Sequence, residues 1–159
     1  MKTLNRQPVA RSIATVVVVA IAGTLLWTGT AVLANRNVGI VPIDVAALAT
    51  LATAPIEDAP YWTVVGHERP PAASVSTYIS DDKLFEAGVS RYDRVTLQLR
   101  DWPVDEFMYI LEGQVEITPQ EGKPHLYGPG DAFVMPKGFN GTWRQLSNLR
   151  KVQVTYAGR

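Results

Sequence analysis

The chain of 159 residues contains no cysteine, which excludes a disulfide framework, a thiolate zinc site, a cysteine nucleophile and a lipoprotein lipid anchor. Histidine is almost as scarce, with only His67 and His125. An excess of charge of either sign is missing too. Fifteen Lys and Arg balance fifteen Asp and Glu, without a basic block or an acidic tail, so nucleic-acid binding and long-range electrostatic steering are set aside. The length leaves room for one domain and a targeting segment, and hardly for two domains.

What is present begins with a targeting signal. Lys2, Arg6 and Arg11 precede an uncharged run from Ser12 to Ala34 that contains four consecutive valines, Ile21, Leu25, Leu26 and Trp27. A helix apolar on every face is unlike the surface helix of a soluble domain, and the run is long enough to span a bilayer. Its basic flank predicts a cytoplasmic N-terminus and export of everything after Arg36. Two fates stay open. Ile13 to Trp27 reads as the h-region of a signal peptide with Val32-Leu33-Ala34 before the cleavage point, or residues 12–34 remain as a membrane anchor. The exported part is then periplasmic or membrane-anchored, with the C-terminal domain outside.

Residues 35–60 read as a linker in which Asp44 caps a short helix over Val45 to Ala52, ended by Pro55 and Pro60. From Tyr61 to the end, the pattern is one of short β-branched and aromatic runs divided by Gly, Pro and Asp, which predicts an all-β sandwich or barrel over residues 61–159. The expected strands are Tyr61 to Val65, Val75 to Ile79, Arg94 to Arg100, Phe107 to Leu111, Gln114 to Thr118, Ala132 to Met135, Thr142 to Leu146 and Lys151 to Tyr156. Strict alternation places Val95, Leu97 and Leu99 on one face and Thr96, Gln98 and Arg100 on the other. The stretch Phe107 to Leu111 is apolar on both faces and needs cover from a second layer, a dimer partner or the N-terminal segment.

Two segments carry a family resemblance. Glu106, six mostly apolar residues and Gly113 resemble the second half of the first cupin motif; Gly130, five residues, Pro136, one residue and Gly138 resemble the second. The residues Gly138-Phe139-Asn140-Gly141-Thr142-Trp143, with Arg150-Lys151 beyond, are most similar to (S)-ureidoglycine aminohydrolase-like domains. The resemblance covers roughly Tyr78 to Tyr156 and implies a single jelly-roll-like cupin barrel behind the apolar N-terminal helix. Local chemistry agrees, because Gly113 suits a strand end at a hairpin, Gly128-Pro129-Gly130-Asp131 a tight turn and Pro136 a strand end without a ladder donor.

Residue by residue, the metal ligands of the family do not carry over. The histidine places before Glu106 hold Arg100 and Trp102, or Leu99 and Asp101 under the alternative spacing, and the place after the second motif holds Gly141. One carboxylate cannot hold Mn, Fe or Zn tightly, so no metal and no cofactor is expected. His67 reads as a loop residue and His125 as a surface strand residue.

The candidate site is therefore polar and aromatic. Glu106 points inward with Met108 and Ile110, Arg100 is its expected ion-pair partner, and Gln98, Trp102 and Trp143 complete a mouth that would take a small polar ligand. Glu106 is also the best catalytic candidate, as an acid or base with a pKa raised by apolar surroundings. Three classes stay open: a metal-free ligand-binding or accessory module, an enzyme of the aminohydrolase or isomerase kind using Glu106, and a structural protein that oligomerises as a homodimer through Phe107 to Leu111.

Overall fold

Alternation over Val95 to Leu99 has the expected result in the computed structural model, which describes residues 39–158: Val95, Leu97 and Leu99 are buried while Thr96 and Gln98 stay half-exposed on the opposite face. The segment expected over residues 1–34 lies outside the described residues. Among those described, no helix is long and apolar enough to cross a membrane.

The described chain is all-β, with strands β1 Ala54–Pro55, β2 Trp62–Val64, β3 Pro71–Ile79, β4 Phe85–Tyr92, β5 Thr96–Leu99 and β6 Asp105–Glu112. It continues with β7 Val115–Pro119, β8 His125–Tyr127, β9 Ala132–Met135, β10 Gly141–Gln145 and β11 Leu149–Tyr156. Two antiparallel sheets form, in the orders β1-β3-β4-β11-β6-β9 and β2-β5-β10-β7-β8. From β4 onward the chain changes sheet at every connection except the β7–β8 hairpin. This repeated crossing is the jelly-roll arrangement.

Gly113 sits at one crossing and not, as the sequence suggests, in a hairpin between paired strands, since β6 and β7 belong to opposite sheets. Its φ of 84° is left-handed, and a Cβ there would lie 2.0 Å from the Asn148 carbonyl oxygen. Only glycine lets the chain turn so close to the start of β11.

The main core fills the space between the sheets with Val64, Val95, Leu97, Leu99, Met108, Ile110, Val115, Ile117, Met135, Trp143 and Leu149, joined by Ile56. A second cluster lies outside the larger sheet. There Leu48 and Leu51 cover Ala73 and Val89, with Val75, Leu111 and Val152 at its border. The expected helix over Val45 to Ala52 is a 3-10 helix, Val45–Ala49, and Asp44 caps it by accepting from the Ala46 and Ala47 amides at 3.0 and 3.3 Å. Thus much of the stretch read as a linker is built into the fold, because Leu48, Leu51 and Ile56 have apolar surface to bury and β1 pairs with β3.

The alternation of β6 separates its two faces. Glu106, Met108 and Ile110 face the interior and are buried, whereas Phe107 and Tyr109 lie on the outside and are exposed. The 3-10 helix Val45–Ala49, with Leu51 after it, covers the outer face above β3 and β4.

Candidate functional site

The interior polar site starts from Glu106 on β6. Its carboxylate Oε1 accepts from Lys151 Nζ at 2.6 Å, and each side chain is only 6% exposed. Lys151 comes from β11, directly beside β6, and stands opposite Ile110. A bulge between Arg150 and Lys151 sets this register: Arg150 opposes Glu112 and Lys151 opposes Ile110, leaving Leu111 without an opposite residue. A bulge re-aims side chains locally. Here Arg150 reaches Glu112 at 2.8 Å at the surface while the next residue turns inward.

Arg100 is not the partner of Glu106. It is exposed, and its strand-end neighbours Leu97 and Leu99 take the inward face, so period-two geometry turns Arg100 and Gln98 away from the interior. Moreover, β5 and β6 belong to different sheets. Gln98 instead donates through Nε2 to the Gly141 carbonyl at 2.9 Å and accepts from the Thr142 hydroxyl at 3.3 Å. Met108 is a buried core residue. Trp102 and Trp143, by contrast, do line an interior cavity.

That cavity measures about 40 Å³ and is walled by Trp62, Tyr92, Trp102 and Trp143, with Lys151 and Gln145 among its polar lining. Trp62 and Trp102 stack with centroids 5.9 Å apart, and Tyr61 meets Trp102 edge-on at 5.4 Å. The Lys151 ammonium lies 5.9 Å from the Trp143 ring centre, within reach of a cation–π attraction. Gln145, in the amide orientation that satisfies its neighbours, donates to the Asp93 carbonyl at 3.0 Å and accepts from Trp143 Nε1 at 3.1 Å. Trp102 Nε1 is buried with no hydrogen-bond partner. Lys151, Tyr92, Trp62 and Gln145 were not named as site residues by sequence reasoning. The alternation of Lys151 and Gln153 with Val152 and Val154 is the signal that marks Lys151 as facing opposite to the valines.

The places that hold metal ligands in cupins are differently used here. Leu99 and Trp102 contribute apolar and aromatic wall to the cavity, and Arg100 and Asp101 are exposed. At Gly141 a Cβ would lie 2.3 Å from the Thr118 carbonyl oxygen, so no side chain fits without moving backbone. Among the described residues no group of three or more His, Asp or Glu comes together. With Glu106 given to an ammonium, the residues present do not fit a transition metal. His125 is exposed on β8 and His67 in a bend, as the sequence suggests.

Residues 95–152, from just before β5 into β11, match the EutQ-like cupin domain. The barrel is a cupin domain. Among solved structures, a DUF861-family protein of unknown function from Pseudomonas syringae pv. tomato superposes with a TM-score of 0.57 at 18% identity, covering 66% of this chain and 44% of that one. The EutQ protein of Clostridium difficile gives 0.52 at 16% identity, covering 70% and 85%. The chain spans less than half the length of the Pseudomonas protein. At these identities the likeness is one of fold. No curated protein matches the chain.

Proposed function

We propose that this cupin domain binds a small polar ligand without a metal and serves as a sensory or accessory module outside the cytoplasmic membrane. The observation that carries this reading is the cavity between the sheets, walled by Trp62, Trp102 and Trp143 and supplied with the Lys151 ammonium. An apolar wall with a few placed polar groups is how proteins hold small molecules. The basic flank and apolar run over residues 12–34 support export, with the segment either cleaved or kept as an anchor.

The test uses the full chain in a thermal-shift screen against small polar compounds, with and without a chelator. A ligand that binds only the folded state raises Tm by mass action, and the rise should be indifferent to chelation. A fall in Tm on chelation, together with one tightly held transition metal per chain, overturns the reading. For placement, a C-terminal alkaline phosphatase fusion is expected to be active; an inactive fusion beside an active cytoplasmic reporter removes the export half.

A second reading rests on the outer face of the larger sheet, where Phe107 and Val134 are paired across β6 and β9 and, with Tyr109 and Tyr156, are 40% to 59% exposed. Such a patch suits a homodimer. Sedimentation of the full chain should give a dimer that Val134→Lys converts to monomer; a monomeric parent at high concentration removes this reading. The resemblance to aminohydrolase-like domains supports an enzyme in which the Glu106–Lys151 pair moves a proton. Turnover that disappears in Glu106→Gln while the fold persists would bring that reading to the front.

A further inference from the structure

Polar groups continue from Lys151 as a lane along the inward face of the larger sheet. Lys151 stands opposite Ser90, whose hydroxyl donates to Gln153 Oε1 at 2.6 Å, and Gln153 Nε2 donates to Ser74 Oγ at 3.1 Å. Nearer the strand ends, Thr155 lies between Glu86 and Glu106, and the Ser76 hydroxyl donates to Glu86. Lys151 and Ser90 are buried, whereas Gln153, Thr155 and Glu86 are partly exposed. Strands β4 and β11 have hydrogen-bonded neighbours on both sides, so water does not reach these three side chains past a sheet edge. It reaches them through the mouth between the sheets, and the lane leads from solvent to the Lys151 side of the cavity.

An aromatic wall stands at the same end of the barrel. Trp62 is opposite Leu99, the last residue of β5, and Glu106 is the second residue of β6, with Trp102 on the connection between these two strands. The chain crosses directly from β4 to β5 and from β10 to β11, which leaves β2 on the β3 side of the sandwich. The inward-facing Trp62 thus looks towards the polar lane, and both Trp62 and Trp102 are partly exposed.

The lane offers donors and acceptors together. Ser90 and Ser76 give their protons to neighbours and keep lone pairs, Gln153 keeps one N–H and Lys151 two, and one oxygen each of Glu86 and Glu106 is left over. An ammonium or a carboxylate ligand uses only one half of this set. A hydroxyl group brings a donor and two lone pairs, so it uses both. Glu106 neutralises Lys151, and Glu86 at the mouth disfavours an anion. Aliphatic C–H groups suit the tryptophan wall. The cavity of about 40 Å³ has room for about two or three water-sized groups, so it admits an arm of a sugar and not its ring.

We propose that the barrel mouth binds a neutral monosaccharide of pyranose size, its hydroxyls on Gln153, Thr155 and Glu86 and its C–H groups against Trp62. The proposal rests on the ligand-binding reading above and names the ligand class.

The experiment follows the indole N–H signals of the 15N-labelled full chain, kept in a detergent whose headgroup is not a sugar. The probes are D-glucose, D-galactose, D-mannose and D-xylose, with cyclohexanol as a ring of similar size that carries one hydroxyl. Signals are assigned with single Trp→Phe variants. At least one sugar should shift the Trp62 signal saturably at about millimolar concentration, the range open to a ligand of about twelve heavy atoms, and cyclohexanol should not. Thr155→Val removes one hydroxyl at nearly constant volume and should weaken that sugar about three- to ten-fold. Trp62→Leu, read on the Trp102 signal, should weaken it about ten-fold. Thr63→Val, on the outward face of β2 opposite Gln98, should leave the affinity unchanged. Equal affinity in Thr155→Val and Trp62→Leu, or saturation by cyclohexanol as tight as by the sugar, overturns the proposal. If no sugar moves the Trp62 signal while the thermal-shift screen returns another ligand, the carbohydrate class falls and the ligand-binding reading stands. If neither the sugars nor the screen yields a ligand, both fall.

Discussion

Replacing Glu106 by glutamine removes one charge from a pair held at 2.6 Å with each side chain 6% exposed. The amide keeps the shape and an acceptor oxygen. What it cannot supply is the negative charge that offsets desolvation of Lys151, whose surroundings are Trp143 and the core strands. Leaving one member of a buried pair uncompensated costs about 3–5 kcal/mol. For a domain of this size each kcal/mol moves Tm by roughly 3–6 °C, so Glu106→Gln should lower Tm by more than about 10 °C. Lys151→Met should cost a similar amount, because it strands the carboxylate instead. The double variant puts two neutral groups of nearly the original volume in place and should return to within about 2 kcal/mol of the parent. Urea unfolding of all four proteins closes a double-mutant cycle, and equal m-values check that each unfolds in the same two-state manner. The expected coupling is at least about 2 kcal/mol. If the two single effects add, or if Glu106→Gln costs less than about 1 kcal/mol, the pair is not a desolvated unit and the argument built on it is wrong.

Gly141→His restores the residue of the second cupin motif, yet its Cβ meets the Thr118 carbonyl oxygen at 2.3 Å. It should destabilise the domain by about 2 kcal/mol or more without introducing a tight metal site, checked by unfolding and elemental analysis. Gly113→Ala combines a left-handed φ of 84° with a Cβ 2.0 Å from the Asn148 carbonyl oxygen. Urea unfolding should show a loss exceeding about 2 kcal/mol, and a loss under 0.5 would mean that the turn relaxes freely. The Asp82 carboxyl is held below its ordinary value of 3.8, first by the Ser80 hydroxyl and then by the Leu84 amide. Its contribution to the β3–β4 turn is therefore present above that value and lost as pH falls through the lower folded one. An NMR titration should place its midpoint below 3.8, and Ser80→Ala should raise it.

Much of the barrel was legible because its strands alternate. Val95, Leu97 and Leu99 all face the core, and the turn glycines 113, 130 and 138 all adopt positive φ. Strand β4 was not expected, and its composition shows why. Its inward face carries Gly88 and Ser90, with Ser90 donating to Gln153 at 2.6 Å, so a buried polar seam replaces the apolar period. Gly88 is needed there since a Cβ would meet the Val75 carbonyl oxygen at 2.2 Å. The partner of Glu106 was hidden for a related reason. In β11 the apolar residues Val152 and Val154 face outward and Lys151 and Gln153 inward, the reverse of what hydrophobicity alone suggests. The valines have apolar neighbours on that side, with Leu48 and Leu51 laid across part of the outer face. A bulge and a covered outer face are tertiary facts, and no local pattern around Glu106 announces a lysine forty-five residues away.

The last two strands made are also the middle ones. β10 lies between β5 and β7, and β11 lies between β4 and β6, so each sheet is closed by a segment at the end of the chain. A growing polypeptide that has not yet reached Gly141 has two half-sheets and nothing to join them. Closure entropy must be spent on these distant contacts before they stabilise anything, which makes folding slow and late. A chain truncated before β10 should stay protease-sensitive and lack the sheet spectrum of the full domain. This order of assembly keeps the barrel open until the segment that carries β10 and β11, Gly141 to Tyr156, has been made.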